Sequence, residues 1–181
     1  MKKRFMLFVV CLLLLTGCGK LQETEQEEEK QDATPAQIGL VFDSFVIERW
    51  QKDRDVFVST AKEYGAEVNV QNANGDIDTQ ISQIRYLIKK KVDVLVVVCI
   101  DSDGLADVIA EAEDAGIRVI AYDRMIKNAN VDLYISFDNE MVGNMMGEAL
   151  VEKGIDGGKV LMLGGSATDS NVPLVEDGFR K

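Results

Sequence analysis

Few folds accommodate the run from Val92 to Ile100, an almost unbroken series of β-branched residues. A strand of that composition is apolar on both faces, and a parallel sheet covered by helices on each side is the arrangement that buries both. Ile38 to Phe42, Glu67 to Gln71, Ile117 to Ala121 and Leu133 to Phe137 read as further strands around it. Helical patterns separate them. Glu48 to Tyr64 carries Trp50, Phe57, Ala61 and Tyr64 on one side before Gly65; Ile77, Ile81, Ile84 and Ile88 form a narrow stripe; Leu105, Val108, Ile109 and Ala112 lead up to Gly116. A fourth pattern (Val142, Met145, Met146, Ala149, Leu150) precedes the turn Asp156-Gly157-Gly158 and a sixth apolar run, Lys159 to Leu163. The alternation predicts an α/β fold with a doubly wound parallel sheet and right-handed crossovers.

Composition removes several functions from consideration. The 181 residues carry a formal charge of −11 with no basic stripe, which disfavours nucleic acid. There is no histidine, so Ser-His-Asp and Cys-His catalysis and His-ligated metal sites are excluded by inventory. Gly39 stands alone after the first strand, and Gly164-Gly165-Ser166 lacks the lysine of a phosphate-binding loop, so no nucleotide cofactor is expected. Asp43-Ser44-Phe45 lacks the second carboxylate that a Mg²⁺-dependent phosphoacceptor needs. Neither a cofactor nor a metal is expected.

The amino terminus has a different character. Lys2, Lys3 and Arg4 precede an apolar run from Phe5 to Leu15, too short to span a bilayer and suited to a signal peptide. Leu15-Thr16-Gly17-Cys18 resembles the lipobox of bacterial lipoproteins, which makes residues 1–17 a lipoprotein signal peptide and Cys18 the lipidation site. The expected location is extracytoplasmic, anchored to the cell membrane by lipid. Residues 18–36 form an acidic tether with Glu23, Glu25, Glu27, Glu28, Glu29 and Asp32 and little apolar content, expected to be disordered. With Cys11 cleaved away and Cys18 acylated, Cys99 is the one thiol left in the folded part, and no internal disulfide is expected.

Ligands of open α/β sheets sit at the carboxyl ends of the strands. The polar residues there are Asp43, Asn72, Asn74, Asp101, Asp123 with Arg124, Asp138, and the stretch Ser166 to Asn171. Asp101, Asp138 and Ser44 have an alternative use as helix caps. Asp123-Arg124 has no strong helix pattern after it and stands as a functional pair on spacing.

Glu48-Arg49-Trp50-Gln51-Lys52-Asp53-Arg54-Asp55, Ala73-Asn74-Gly75, Asp93-Val94-Leu95-Val96, Ala121-Tyr122-Asp123-Arg124-Met125-Ile126 and Tyr134-Ile135-Ser136-Phe137-Asp138-Asn139-Glu140 closely resemble the xylose branch of the periplasmic sugar-binding proteins of ABC uptake systems. The likeness runs from Ile38 to about Asn171. It implies the type I fold of that family, two α/β lobes with a sugar between them, and D-xylose or a related monosaccharide as ligand. On this resemblance, 37–138 is the N-terminal lobe, Asp138 and Asn139 mark a hinge crossing, and 139–181 begins a second lobe that is truncated. Arg49, Trp50, Asp123, Arg124, Asp169 and Asn171 become the sugar ligands. Ala167 and Ser170 stand where the family pattern has Pro and Asn.

The residue chemistry suits that role. Planar Asp, Asn and Arg side chains can each engage two neighbouring hydroxyls, and an indole can cover the apolar face of a pyranose. The alternatives are a core role for Trp50 and an ion pair with Glu48 or Asp53 for Arg49. The resemblance implies binding without catalysis, with lobe closure read by an ABC permease or, in the competing reading, by a membrane histidine kinase. A third reading has Asp101 and Asp123 perform acid–base work on a sugar. The chain is expected to end within an opening helix, Val172 to Lys181, with Leu174, Val175 and Phe179 at helical spacing. Missing about four sugar contacts of about 1 kcal/mol each would weaken affinity on the order of a thousandfold.

Overall fold

The computed structural model describes residues 34–155 and 157–181. The expected signal peptide, Cys18 and the tether as far as Ala33 lie outside the described residues, as does Asp156 of the glycine turn.

The elements follow in chain order as β1 (Gln37–Phe42), α1 (Glu48–Glu63), β2 (Glu67–Asn72), α2 (Ile77–Lys90), β3 (Val94–Val97), α3 (Ala106–Asp114), β4 (Arg118–Tyr122), β5 (Leu133–Ile135), α4 (Asn139–Glu152) and α5 (Asn171–Phe179). The five strands form one sheet in the order β2-β1-β3-β4-β5, every pair parallel, with Val41 opposite Val97 and Val97 opposite Ala121. Strand order reverses between β1 and β3, so the crevice above their carboxyl ends is the topological switch point.

Alternation along the strands divides the core in two. Val41, Leu95, Val97, Val119 and Ala121 face α2 and α3, where Ile84, Leu87, Val108, Ile109 and Ala112 meet them. Leu40, Phe42, Val96 and Val98 face the other way, toward Trp50 of α1. Gly39 lies on the α2 side, where a Cβ would sit 2.7 Å from Leu87 Cδ1 and 2.9 Å from Leu95 Cδ2. The missing side chain lets α2 settle onto the central strands. Ile84 is fully buried there, so Ile84→Ala is expected to lower stability by about 2–5 kcal/mol, read as a lower urea midpoint at unchanged slope.

Several local expectations need correction. Strand β3 covers only Val94–Val97 of the run from Val92 to Ile100: beyond it Val98 N still donates to Val41 O at 2.9 Å, but the Val98 carbonyl and the Ile100 N–H turn to the side chain of Gln80. Lys159 to Leu163 forms no strand: among the described residues it has no neighbouring strand to pair with, and Leu161 and Leu163 are more than four-fifths exposed. Tyr64 follows the last turn of α1 and is exposed rather than packed. Of the proposed caps, Asp138 serves α4 by accepting from Met141 N at 2.9 Å. Ser44 does not, since α1 begins after Ile47 without a side-chain cap. Asp101 instead accepts from Asp103 N at 2.9 Å, closing a turn ahead of α3.

Helices α4 and α5 cross at glycines. A Cβ on Gly143 would run into the carbonyl oxygen of Val175, and one on Gly178 into that of Glu140, so the two backbones touch directly. Lys181 Nζ pairs with the Glu140 carboxylate across the same crossing.

Candidate ligand-binding site

The loops leaving β1, β3 and β4 meet at the switch point. Asp123 follows β4 in the left-handed region, with φ of 65°, which a non-glycine residue adopts only when its surroundings hold it there. They do: its carbonyl accepts from Ser136 Oγ at 2.7 Å, Asn171 Nδ2 at 3.2 Å and Tyr134 Oη at 3.3 Å, and its N–H donates to Ile135 O at 2.7 Å. The backbone is thereby reversed, and Arg124 turns back over the end of β3.

Arg124 is the centre of the cluster. Its Nη1 donates to Asp43 Oδ2 at 2.9 Å and to the Cys99 carbonyl at 3.0 Å. Its Nε lies 2.8 Å from Asp169 Oδ2, close enough for an ion pair but with the N–H directed off the oxygen. Both carboxylates and the guanidinium are largely buried, so the attraction is screened much less than at the surface. Arg49, at the start of α1, donates from Nη2 to Asp123 Oδ2 at 2.6 Å and pairs through Nε with Asp53 at 3.3 Å. Burial on its own lowers the Arg49 pKa most; the hydrogen bond and charge of Asp123, with Asp53, outweigh it and leave the guanidinium above its ordinary value. Tyr122 Oη donates to Asp53 Oδ2 at 3.0 Å, and burial, then that bond, raises the phenol pKa.

Trp50 sits below both guanidinium groups. Arg49 Cζ is 4.5 Å and Arg124 Cζ 5.8 Å from its ring, and the indole packs against Phe42 at 6.1 Å on its core side. The ring is only 3 % exposed, so it is a core residue as well as the floor of the cluster. Its Nε1 is buried and has no hydrogen-bond partner among the described residues. Cys99 is buried beside the cluster, and burial, opposed by the Arg124 charge, pushes its thiol up to about 12, which leaves it unreactive.

The Ser166 to Asn171 loop closes the far side. Asn171 Nδ2 donates to Asp123 Oδ1 at 2.9 Å, Ser170 Oγ accepts from Met125 N at 2.9 Å, and Thr168 spans to Ser102 N and Ile100 O, both at 3.0 Å. Asn139, the first residue of α4, reaches Ser136 Oγ at 3.2 Å and Asn171 Oδ1 at 3.0 Å. All six residues singled out as sugar ligands thus lie in one connected network. Asp101 does not share it with Asp123. Asp43 stands among the polar residues that follow the strands but not among the expected sugar ligands, Asp53 only as an alternative ion-pair partner of Arg49, and Ser170 only as a departure from the family pattern, while Tyr122 and Ser136 have no role assigned by the sequence; the signal for Asp53 is its place four residues after Arg49 on the same helix face.

Among the described residues no cluster of three or more carboxylate or thiol ligands could hold a metal ion. What the arrangement offers is planar donors and acceptors in fixed positions beside an aromatic ring.

Comparison with known proteins identifies the family. The sequence pattern of the periplasmic binding protein domain matches residues 38–181. The chain is similar to the D-xylose-binding periplasmic protein of Escherichia coli K12, with 44% identity over 93% of this chain and 50% of that protein. Its similarity to the protein so named in Haemophilus influenzae is 46% over 93% of this chain and 49% of the other. An ABC transporter solute-binding protein from Clostridium phytofermentans, solved with bound β-D-glucose, superposes with a TM-score of 0.73 at 35% identity, covering 78% of this chain and 46% of that one. The chain spans about half the length of the relatives it matches. The parallel sheet with its covering helices is part of the type I periplasmic binding protein fold, and the chain belongs to the periplasmic binding protein domain family.

Proposed function

We propose that the chain is part of a lipid-anchored, extracytoplasmic protein that binds D-xylose or a closely related monosaccharide and delivers it to an ABC permease. The observation that carries this reading is the rim cluster: Arg49, Asp123, Arg124, Asp169 and Asn171 joined over the indole of Trp50 at the switch point of a parallel sheet. Carboxylate, guanidinium and carboxamide planes held this way suit vicinal hydroxyls, which donate and accept together. The similarity to D-xylose-binding periplasmic proteins supports the choice of sugar, and the similarity to an ABC transporter solute-binding protein supports a permease over a histidine kinase as partner. Membership of a binding-protein family supports binding without turnover over acid–base chemistry by Asp101 and Asp123. The lipid anchor rests on Leu15-Thr16-Gly17-Cys18, and the hinge at Asp138 and Asn139, with residues 37–138 and 139–181 on separate lobes, rests on the family resemblance.

A sugar that covers the indole has to displace the side chain of Arg49, 41% exposed, whose Cζ lies 4.5 Å from the ring. Binding therefore changes the surroundings of the chain's single tryptophan. Titration of a protein extended to the length of its relatives with xylose, ribose and glucose, followed by Trp50 emission and calorimetry, is expected to show a saturable response tightest for xylose, while the 181-residue chain alone responds weakly or not at all. A flat response of the extended protein to all three sugars, or turnover of xylose, would overturn the reading.

A further inference from the structure

Gln80 is the one polar residue in the apolar stripe of α2, between Ile77 and Ile84, and it is completely buried. Both ends of its carboxamide are paired: Nε2 donates to the Val98 carbonyl and Oε1 accepts from Ile100 N, both at 3.0 Å. Those two peptide groups flank Cys99, just past the point where β3 ends. A side-chain amide has the donor and acceptor of a peptide unit, so Gln80 substitutes there for a neighbouring strand. The carbonyl held between these two bonds is that of Cys99, which accepts from Arg124 Nη1 at 3.0 Å. The rest of the stripe packs into the apolar cluster that contains Val41, Leu95 and Val97.

We propose that Gln80 is a positioning residue for the rim cluster: by holding the peptides on either side of Cys99, it aims the Cys99 carbonyl at Arg124 and sets the height of the guanidinium over Trp50. It touches no ligand itself. The inference deepens the sugar-binding reading and rests on it for affinity, but its structural part can be tested without sugar.

The chain's single tryptophan lies 5.8 Å from Arg124 Cζ and on the opposite face of the sheet from Gln80, so its emission responds to a shift of that guanidinium as well as to the nearer Arg49 at 4.5 Å. The experiment compares wild type, Gln80→Met and Ile84→Ala, the last destabilising from the same helix with the Gln80 bonds to Val98 and Ile100 kept. In sugar-free protein, Gln80→Met is expected to shift Trp50 emission and to speed exchange of the Ile100 amide, while Ile84→Ala leaves the emission at its wild-type position. Xylose affinity of the extended protein should fall about tenfold in Gln80→Met alone. Should Gln80→Met fail to fold, Gln80→Asn, one methylene too short to reach both peptides, carries the same expectations. Wild-type emission in the folded glutamine variants, or an equal shift in Ile84→Ala, would overturn the proposal. Absence of any xylose response in the extended wild type overturns the sugar reading and leaves the emission and exchange comparison to decide the role of Gln80.

Discussion

Arg124→Ala is expected to abolish the response to xylose and to destabilise the folded chain at the same time. The guanidinium neutralises Asp43 and Asp169, which are 12% and 17% exposed; without it two carboxylates face each other in a poorly solvated crevice. Removing one partner of a buried pair leaves an uncompensated charge and costs about 3 kcal/mol, more than the pair contributes when intact. Loss of a charged fork from the ligand side weakens affinity by a further factor on the order of a hundred. Arg124→Lys separates the two effects. The ammonium restores the charge and part of the stability, but a point charge cannot reach Asp43, the Cys99 carbonyl and a sugar hydroxyl together, so binding stays weak. Calorimetric titration and urea unfolding of both variants in the extended protein check this; wild-type affinity in Arg124→Ala would remove the cluster from consideration as the sugar site.

Gly178→Val should separate α4 from α5 while leaving the sheet folded. At most crossings an added methyl meets another side chain, which can rotate away. Here it meets the Glu140 carbonyl and, at 3.0 Å, the Asn144 amide, and helix backbone cannot yield without losing its own hydrogen bonds. The same holds at Gly143, where a Cβ would also come within 2.8 Å of Phe179 N. Overpacking against side chains typically costs about 1–3 kcal/mol, and a backbone obstacle places this case at or above the upper end. Amide exchange is the discriminating measurement: residues 139–152 and 171–179 should lose protection while β1, β3 and β4 keep theirs. Unchanged protection in both helices would show that the crossing tolerates a wider spacing.

The architecture was largely legible because burial on two faces leaves a strong mark on composition. Five apolar runs, each followed by a helical stripe or a turn, become the five strands of the sheet, and the stripe of isoleucines becomes the buried side of α2. Lengths were less legible. Val98 to Ile100 is as apolar as the strand before it, yet its backbone is satisfied by Gln80 rather than by a full ladder, a substitution that periodicity does not register except as one polar residue in an apolar stripe. The rim residues could be found from their place after each strand and from family likeness, but their partners could not. Arg49 and Asp123 are 74 positions apart, and Arg124 reaches both Asp43 and the later Asp169, so no local pattern links them. Lys159 to Leu163 shows the opposite failure: a good strand composition does not make a strand where no second strand lies beside it.

The left-handed backbone at Asp123 separates two properties that usually change together. Asparagine and glycine enter that region at little cost, so either can replace the aspartate without disturbing the reversal of the chain or the bonds to its carbonyl. The formal charge in the crevice is therefore adjustable on an unchanged backbone, at the cost of the ion pair with Arg49, which makes this position a natural starting point for retuning the crevice toward ligands that carry a charge of their own.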